Sequence, residues 1–436
     1  MNGAFHLNNR HELMEKMGPD SVAIFFAAPE ATYSHDVQYT YRQDSNFQYL
    51  TGFPEPEAVA VLAPGHEHPF TLFVRPRDLD KEIWNGFRAG VEGAKETYGA
   101  DAAYTIDTLA DHLPTYMADC KHLYFKFGAD AQLDAQVFKA LNAVRGQIRN
   151  GVKAPQHLHD PGLFLNEMRL IKKPYEMDMM RKAAQISAEA HTELMKVLKP
   201  GVYEYQMESV LNSYFRERNA RMGYPAIVGG GVNGTILHYI ENHTRLEDGM
   251  LLLVDAGAEY AHYNADITRT SPVNGRFNEA QKAVYEVVLK ANEEAIALTK
   301  PGVGFDEINA KATEVITEGL VDLKLLQGNV SELIETKAYQ KFYMHKTGHW
   351  LGADVHDMGD YLDDEGNFRK LQAGMVMTVE PGIYVGPHLS NEVPEAFHHI
   401  GIRIEDDILV TEDGYENMTA AVPKSVEAIE ALMAEA

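Results

Sequence analysis

A single cysteine, Cys120, stands in 436 residues. One thiol excludes a disulfide framework and any zinc site built on several cysteines. Cys120 lies far in sequence from the histidine-rich segments, so an idle thiol is expected rather than a thiol-protease nucleophile. Basic residues are also scarce: 39 Lys and Arg face 64 Asp and Glu, for a net charge of −25. That balance excludes the basic footprint of a nucleic-acid binder and suits a well-solvated acidic surface. No run of about 18 apolar residues occurs, so no membrane span is expected. The segment MNGAFHLNNRHELMEKMGPD is polar and mixed in charge, without the apolar centre of a secretory signal. A cytoplasmic location is therefore expected. There is no Gly-x-Ser-x-Gly elbow and no Walker loop. GGGVNG (229–234) lacks the spacing and lysine of a phosphate loop and fits close backbone packing beside His238 instead.

What remains is a chain with 45% apolar residues, long enough for two or three domains. Residues 1–165 alternate strand-like and helix-like runs and read as an N-terminal α/β domain. SVAIFFAAP, EAVAVLAPG, PFTLFVRPR and HLYFKFG are the expected strands; AQLDAQVFKALNAVRGQI has helical spacing. NGVKAPQHLHDPG (150–162) carries Gly and Pro and reads as a linker.

Residues 166–436 form the second domain. Pro174 opens a helix that should stop at Lys199-Pro200-Gly201, and YEYQMESVLNSYFRERNA supplies the next. The same grammar returns about a hundred residues later. FNEAQKAVYEVVLKANEEAIALTKPGV and FDEINAKATEVITEGLV give a second helix pair with the same KPGV stop. Each pair precedes strands rich in acids and histidines. This pattern predicts two α-α-β-β halves in one pseudo-symmetric domain, with a site between them.

The candidate site residues are Asp255, Asp266, His349, Glu380 and Glu405. Each lies in apolar sequence: LLLVDAG, NADITRTSPV, HWLGADVHD, MVMTVEPG and GIRIEDDILVT. Buried carboxylates are costly unless cations compensate them. Four carboxylates with one imidazole point to bound metal, with two ions sharing the oxygens. A hairpin turning at Tyr260-Ala261 would set Asp255 and Asp266 directly opposite, about 5 Å apart. Oxygen-rich coordination with one imidazole favours Mn²⁺, with Zn²⁺, Co²⁺ and Fe²⁺ open. Such ions lower the pKa of a bridging water, and a glutamate can take its proton; spacing does not choose between Glu380 and Glu405. Around them, His238, His243, His345 and His356 are candidate donors to a developing oxyanion. His191 and His388 read as surface residues, and His398 and His399 carry no role.

Taken in order, IVGGGVNGTILHY, LLLVDAGAEY, ADITRTSPVNG, HWLGADVHD, MTVEPGIY and GIRIEDDILVT resemble the motifs of the pita-bread metallopeptidases. That superfamily includes methionine aminopeptidase, prolidase, aminopeptidase P and metal-free creatinase. YRQDSNFQYLTGFPEPEAV resembles the N-terminal domain of bacterial aminopeptidase P, a creatinase-like α/β domain. The resemblance implies a dinuclear Xaa-Pro aminopeptidase that cleaves with a metal-bridging water or hydroxide, acting on peptides with proline second. It implies that Asp255 binds one metal, that Asp266 and Glu405 bridge, and that His349 and Glu380 complete the ligands of the second metal. Glu380 would then handle the water proton. His238, His345 and His356 would line the substrate site, with His356 near the scissile peptide and His238 facing the proline pocket. Tyr384 and Arg403 would flank it. Asp36, Trp84 and Arg149 match positions that reach across a subunit contact, and Arg369 an entrance position. A homo-oligomer, dimer or tetramer, is implied.

Lys346-Thr347-Gly348 and GPHLSNEVPEAFHHIG depart from the pattern, which bears on peptide length and residue preference. Three alternatives compete: a prolidase restricted to dipeptides, a non-catalytic binding protein on the same fold, and a two-metal phosphoesterase. The scarcity of basic residues near the ligand strands disfavours the last.

Overall fold

The computed structural model describes residues 3–435. The chain divides into one compact unit up to Glu167 and another from Met168.

In the N-terminal unit the central strands are buried apolar runs, and a short exposed His-Leu-His strand lies at one edge. These are β1 (Ser21–Phe26), β2 (Val59–Leu62), β3 (Phe70–Val74), β4 (Ala102–Thr105), β5 (His122–Tyr124) and β6 (His157–His159). They form one sheet in the order β4-β3-β2-β1-β5-β6. The segment expected to be a linker thus supplies the edge strand: β6 pairs in parallel with β5. Its Gly and Pro residues flank the strand rather than dissolve it. The helices Leu109–Met117 and Ala131–Arg145 cover one face, burying Leu113, Met117, Val137, Leu141 and Val144.

The second unit is organised by helix pairs. Helix α1 (Pro174–Val197) begins at its proline, whose missing N–H is an orphan in any first helical turn. It ends before Pro200 and Gly201, the latter in left-handed backbone at φ 95°. Helix α2 (Glu204–Glu217) follows. The second pair is α3 (Glu279–Leu298) and α4 (Phe305–Asp322), and Gly302 repeats the left-handed stop at φ 88°. Asn278 caps α3 by accepting from the Gln281 N–H.

Each pair packs on a small antiparallel sheet. The first sheet contains β7 (Ile227–Gly230), β8 (Leu251–Asp255) and β9 (Thr268–Pro272), in that order. The second contains β10 (Val376–Val379), β11 (Asp406–Val410) and Tyr415–Asn417. Between them lies the ribbon of Gly382–Tyr384 with Gly401–Arg403. The register between β8 and β9 corrects one expectation. Asp255 pairs with Thr268, not with Asp266. The turn falls one residue later, on Ala261 and His262, both in left-handed backbone at φ 50° and 70°. A one-residue shift of the turn moves the pairing by two, so both aspartates keep the same face but stand diagonally. Gly257 makes that crossing close: a Cβ there would meet the Ala265 carbonyl oxygen at 1.7 Å.

Candidate metal centre

The candidate ligands stand at strand ends and breaks rather than within strands. Asp255 is the last residue of β8, and Glu380 follows the last residue of β10. Asp266 lies in the gap before β9, its backbone N–H bonded to the Asp407 carboxylate at 3.1 and 3.2 Å. Glu405 lies in the break between Gly401–Arg403 and β11. There its N–H donates to the Thr268 carbonyl at 3.1 Å, and its carbonyl accepts from Arg269 at 2.6 Å. Breaks let one side chain turn inward while the backbone stays satisfied.

These ends converge on the floor of a cleft of about 580 Å³. One ligand atom each of Asp266, His349 and Glu405 lies within 4.8 Å of the others, a group that could hold a metal ion. His349 Nε2 is 3.4 Å from Asp266 and 3.7 Å from Glu380. Its Nδ1–H donates to the Trp350 carbonyl at 2.9 Å, which aims Nε2 at the carboxylates. Asp255 lines the same cleft and accepts from Arg403 at 2.6 Å.

The electrostatics show the strain of gathering these acids. Burial raises Glu405 well above the usual carboxylate range, and the charges of Asp266, Glu380 and Asp255 add to it. Glu380 is pushed up to about 7, by burial and then by Asp266 against the pull of His349 and Arg403. Asp266 is raised by burial and by Asp255. Burial alone would lower His349, but its bond to Asp266 and the charge of Glu380 lift it to about 9. Four carboxylates therefore share one close guanidinium. The donor set fits hard or borderline divalent cations, which would relieve this repulsion.

Several supporting residues carry no sequence motif. The Tyr224 hydroxyl sits between Asp255 Oδ1, at 2.7 Å, and Asp266 Oδ1. The Thr268 hydroxyl donates to Glu405 at 2.5 Å. Thr378 accepts from the His349 N–H at 3.1 Å. Arg403 donates to Thr268 at 3.0 Å and to the Tyr384 hydroxyl at 2.9 Å, and Tyr384 meets His345 Nε2 at 2.8 Å.

His238, His345 and His356 all line the cleft, with Pro225, Ile227, Leu237 and Ile240 as apolar wall. The His356 ring packs edge-on against His349 at 4.3 Å. Burial and Arg403 push His345 down to about 4, while burial and the His349 charge lower His356. Tyr384 is buried behind Arg403, and Arg369 is half-buried outside the cleft lining. Asp36, Trp84 and Arg149 belong to the N-terminal unit and are exposed, Trp84 at 86%. One expectation is overturned: His191 is not at the surface but 1% exposed, donating from Nε2 to the Ala256 carbonyl at 2.8 Å. His388 is exposed as expected.

Fold and cluster together mark a metal-dependent hydrolase. A profile of metallopeptidase family M24 matches residues 178–412, and one of the aminopeptidase P N-terminal domain matches residues 6–124. The Xaa-Pro aminopeptidase of Escherichia coli is 46% identical over 431 residues, covering 98% of this chain and 97% of that protein. Human Xaa-Pro aminopeptidase 3 is 35% identical over 443 residues, covering 98% of this chain and 85% of that one. The structure of Pseudomonas aeruginosa aminopeptidase PepP superposes with a TM-score of 0.98 at 46% identity, covering 100% of this chain and 98% of that one. The chain belongs to metallopeptidase family M24, with an aminopeptidase P-type N-terminal region ahead of the pita-bread fold. No helix among the described residues is long and apolar enough to cross a membrane.

Proposed function

We propose that this chain is a Xaa-Pro aminopeptidase with two divalent ions, Mn²⁺ by preference, in a catalytic domain spanning residues 166–436. The observation that carries the reading is the convergence of Asp266, His349 and Glu405 within 4.8 Å, in a family of metallopeptidases. Asp255, Asp266, His349, Glu380 and Glu405 would hold the ions, with Asp266 and Glu405 shared. Bound there, they would supply Lewis acidity and a water of lowered pKa.

The chain's own groups do the rest. Glu380 lines the cleft beside His349, where its carboxylate would accept the water proton and return it to the leaving nitrogen. His356 lines the cleft and would donate to the peptide carbonyl, while His345, with Nδ1 on the Lys346 carbonyl and Nε2 on Tyr384, lines its wall. Pro225, Ile227, Leu237, Ile240 and His238 form a wall suited to a pyrrolidine ring. An X-Pro amide offers no N–H, so recognition must rest on ring shape rather than on that hydrogen bond. Arg403 and Tyr384 fix Asp255 and His345 from behind.

Residues 1–165 form the N-terminal domain. Asp36, Trp84 and Arg149 would complete a neighbouring active site in a homo-oligomer, dimer or tetramer, and Arg369 would flank the entrance. The exposed Trp84 favours such a contact. A cytoplasmic location is part of the same reading. A prolidase is the second reading, since the ligand set is common to both activities. Cleavage of an Xaa-Pro tripeptide after chelation and refilling with Mn²⁺ supports the first; cleavage of Gly-Pro alone rejects it.

A further inference from the structure

A second group of imidazoles lies in the N-terminal unit, on the edge of its sheet. His122 on β5 and His157 on β6 are register partners, and His159 is two residues further along β6. Period-two alternation puts all three on one face. The His122 and His157 rings are 5.0 Å apart with planes within 21°, and the His157 and His159 rings are 6.2 Å apart. His122 Nδ1 meets His159 Nε2 at 3.0 Å. Two ring nitrogens at that distance must share one proton, one as donor and one as acceptor.

Histidines gathered this closely need an explanation. A plain hydrogen bond accounts for His122 and His159, but not for the exposed His157 stacked beside them. Burial and the two neighbouring imidazoles lower His159 below the usual histidine range, so its ring stays neutral and keeps a lone pair. Lys121, next to His122 in sequence, is engaged by Asp20 at 2.5 Å.

We infer that His122, His157 and His159 form a second metal site, one that takes a borderline transition ion of the zinc or copper kind through three imidazole nitrogens. The ion replaces the proton shared by His122 and His159. His157, on the edge strand and open to solvent, turns about its side-chain torsions to close the third position. Imidazole-only ligation suits Zn²⁺ and Cu²⁺ over Mn²⁺, so this site and the carboxylate-rich centre would sort different ions. The ligands come from an edge strand and its neighbour, so binding would also pin that edge.

The test is calorimetric titration of the full chain with Zn²⁺ alone, comparing wild type with His159→Gln and His157→Gln. Zn²⁺ entering the M24 centre is the same in all three and drops out of the comparison. Wild type is expected to take one equivalent more than either variant. Electron paramagnetic resonance of the Cu²⁺-loaded protein should show, above the signal of the centre that contains His349, a component coupled to several imidazole nitrogens that weakens in His159→Gln. Should His159→Gln fail to fold, His157→Gln keeps the test intact, because that ring is exposed. Equal stoichiometry in wild type and a folded variant overturns the inference, whatever the peptidase assay shows.

Discussion

The Arg403 guanidinium lies 2.6 Å from the Asp255 carboxylate while also holding Thr268 and the Tyr384 hydroxyl. One planar group thus spans the two halves of the site. Lysine's three N–H donors radiate from one nitrogen and cannot span three partners placed along a planar fork. Arg403→Lys is expected to lower kcat/KM by at least about tenfold, by the loss of two charge-assisted hydrogen bonds. Steady-state kinetics on an Xaa-Pro tripeptide checks this; wild-type kcat/KM in the lysine variant would show the fork is dispensable.

Tyr224 places one hydroxyl between two proposed ligands, Asp255 and Asp266. Groups that orient ligands in this way typically matter by about 10- to 100-fold in metal affinity or activity. Tyr224→Phe should therefore fold normally and show a weaker metal dissociation constant in that range. Competition with a fluorescent chelator measures it.

Much of this site was legible in the sequence, and the reasons differ by residue. Asp255 and Glu380 stand out because they follow apolar runs that form buried strands, and Glu405 because it lies between Ile404 and the strand DDILV. The two helix pairs were legible because each stops at the same Lys-Pro-Gly. Register was not: it hung on a turn of two non-glycine residues, Ala261 and His262, in left-handed backbone, a conformation with no Asn-Gly signal. Tyr224, Thr268 and Thr378 were missed because their partners are set by folding, 137 residues away for Thr268 and Glu405. His191 could have been found. Ala184, Ser187, Ala188, Leu194 and Met195 trace the buried stripe of α1, and helical spacing puts His191 on it.

That buried histidine has a consequence for stability. Burial pushes His191 from 6.5 down to about 4 in the folded protein, so between these values the unfolded chain binds the extra proton. Its contribution is full above about pH 6.5 and is lost as pH falls toward 4, by up to about 3 kcal/mol. His191→Gln, which can still donate to Ala256, should flatten this acid-side fall. Denaturant midpoints at pH 5 and 7.5, compared between wild type and variant, read the difference.

Asp406 accepts from Arg269 at 2.7 Å, Thr419 at 2.9 Å and Lys424 at 2.9 Å, all from a fully buried position. Although burial works against the charge, Arg269 and Lys424 hold this carboxylate below its usual range. Asp406→Asn leaves Arg269 buried without a counter-charge and should cost about 3 to 5 kcal/mol. Urea unfolding at pH 7 measures the loss.

The central claim is that divalent cations neutralise the buried carboxylate cluster. Metal content by mass spectrometry, taken on wild type, Asp266→Ala and Glu405→Ala after equilibration with Mn²⁺ and with Xaa-Pro cleavage measured on the same samples, tests it most directly. About two ions are expected in the wild type, with loss of both metal and turnover in each folded variant. Full metal content and full turnover in either variant would contradict it.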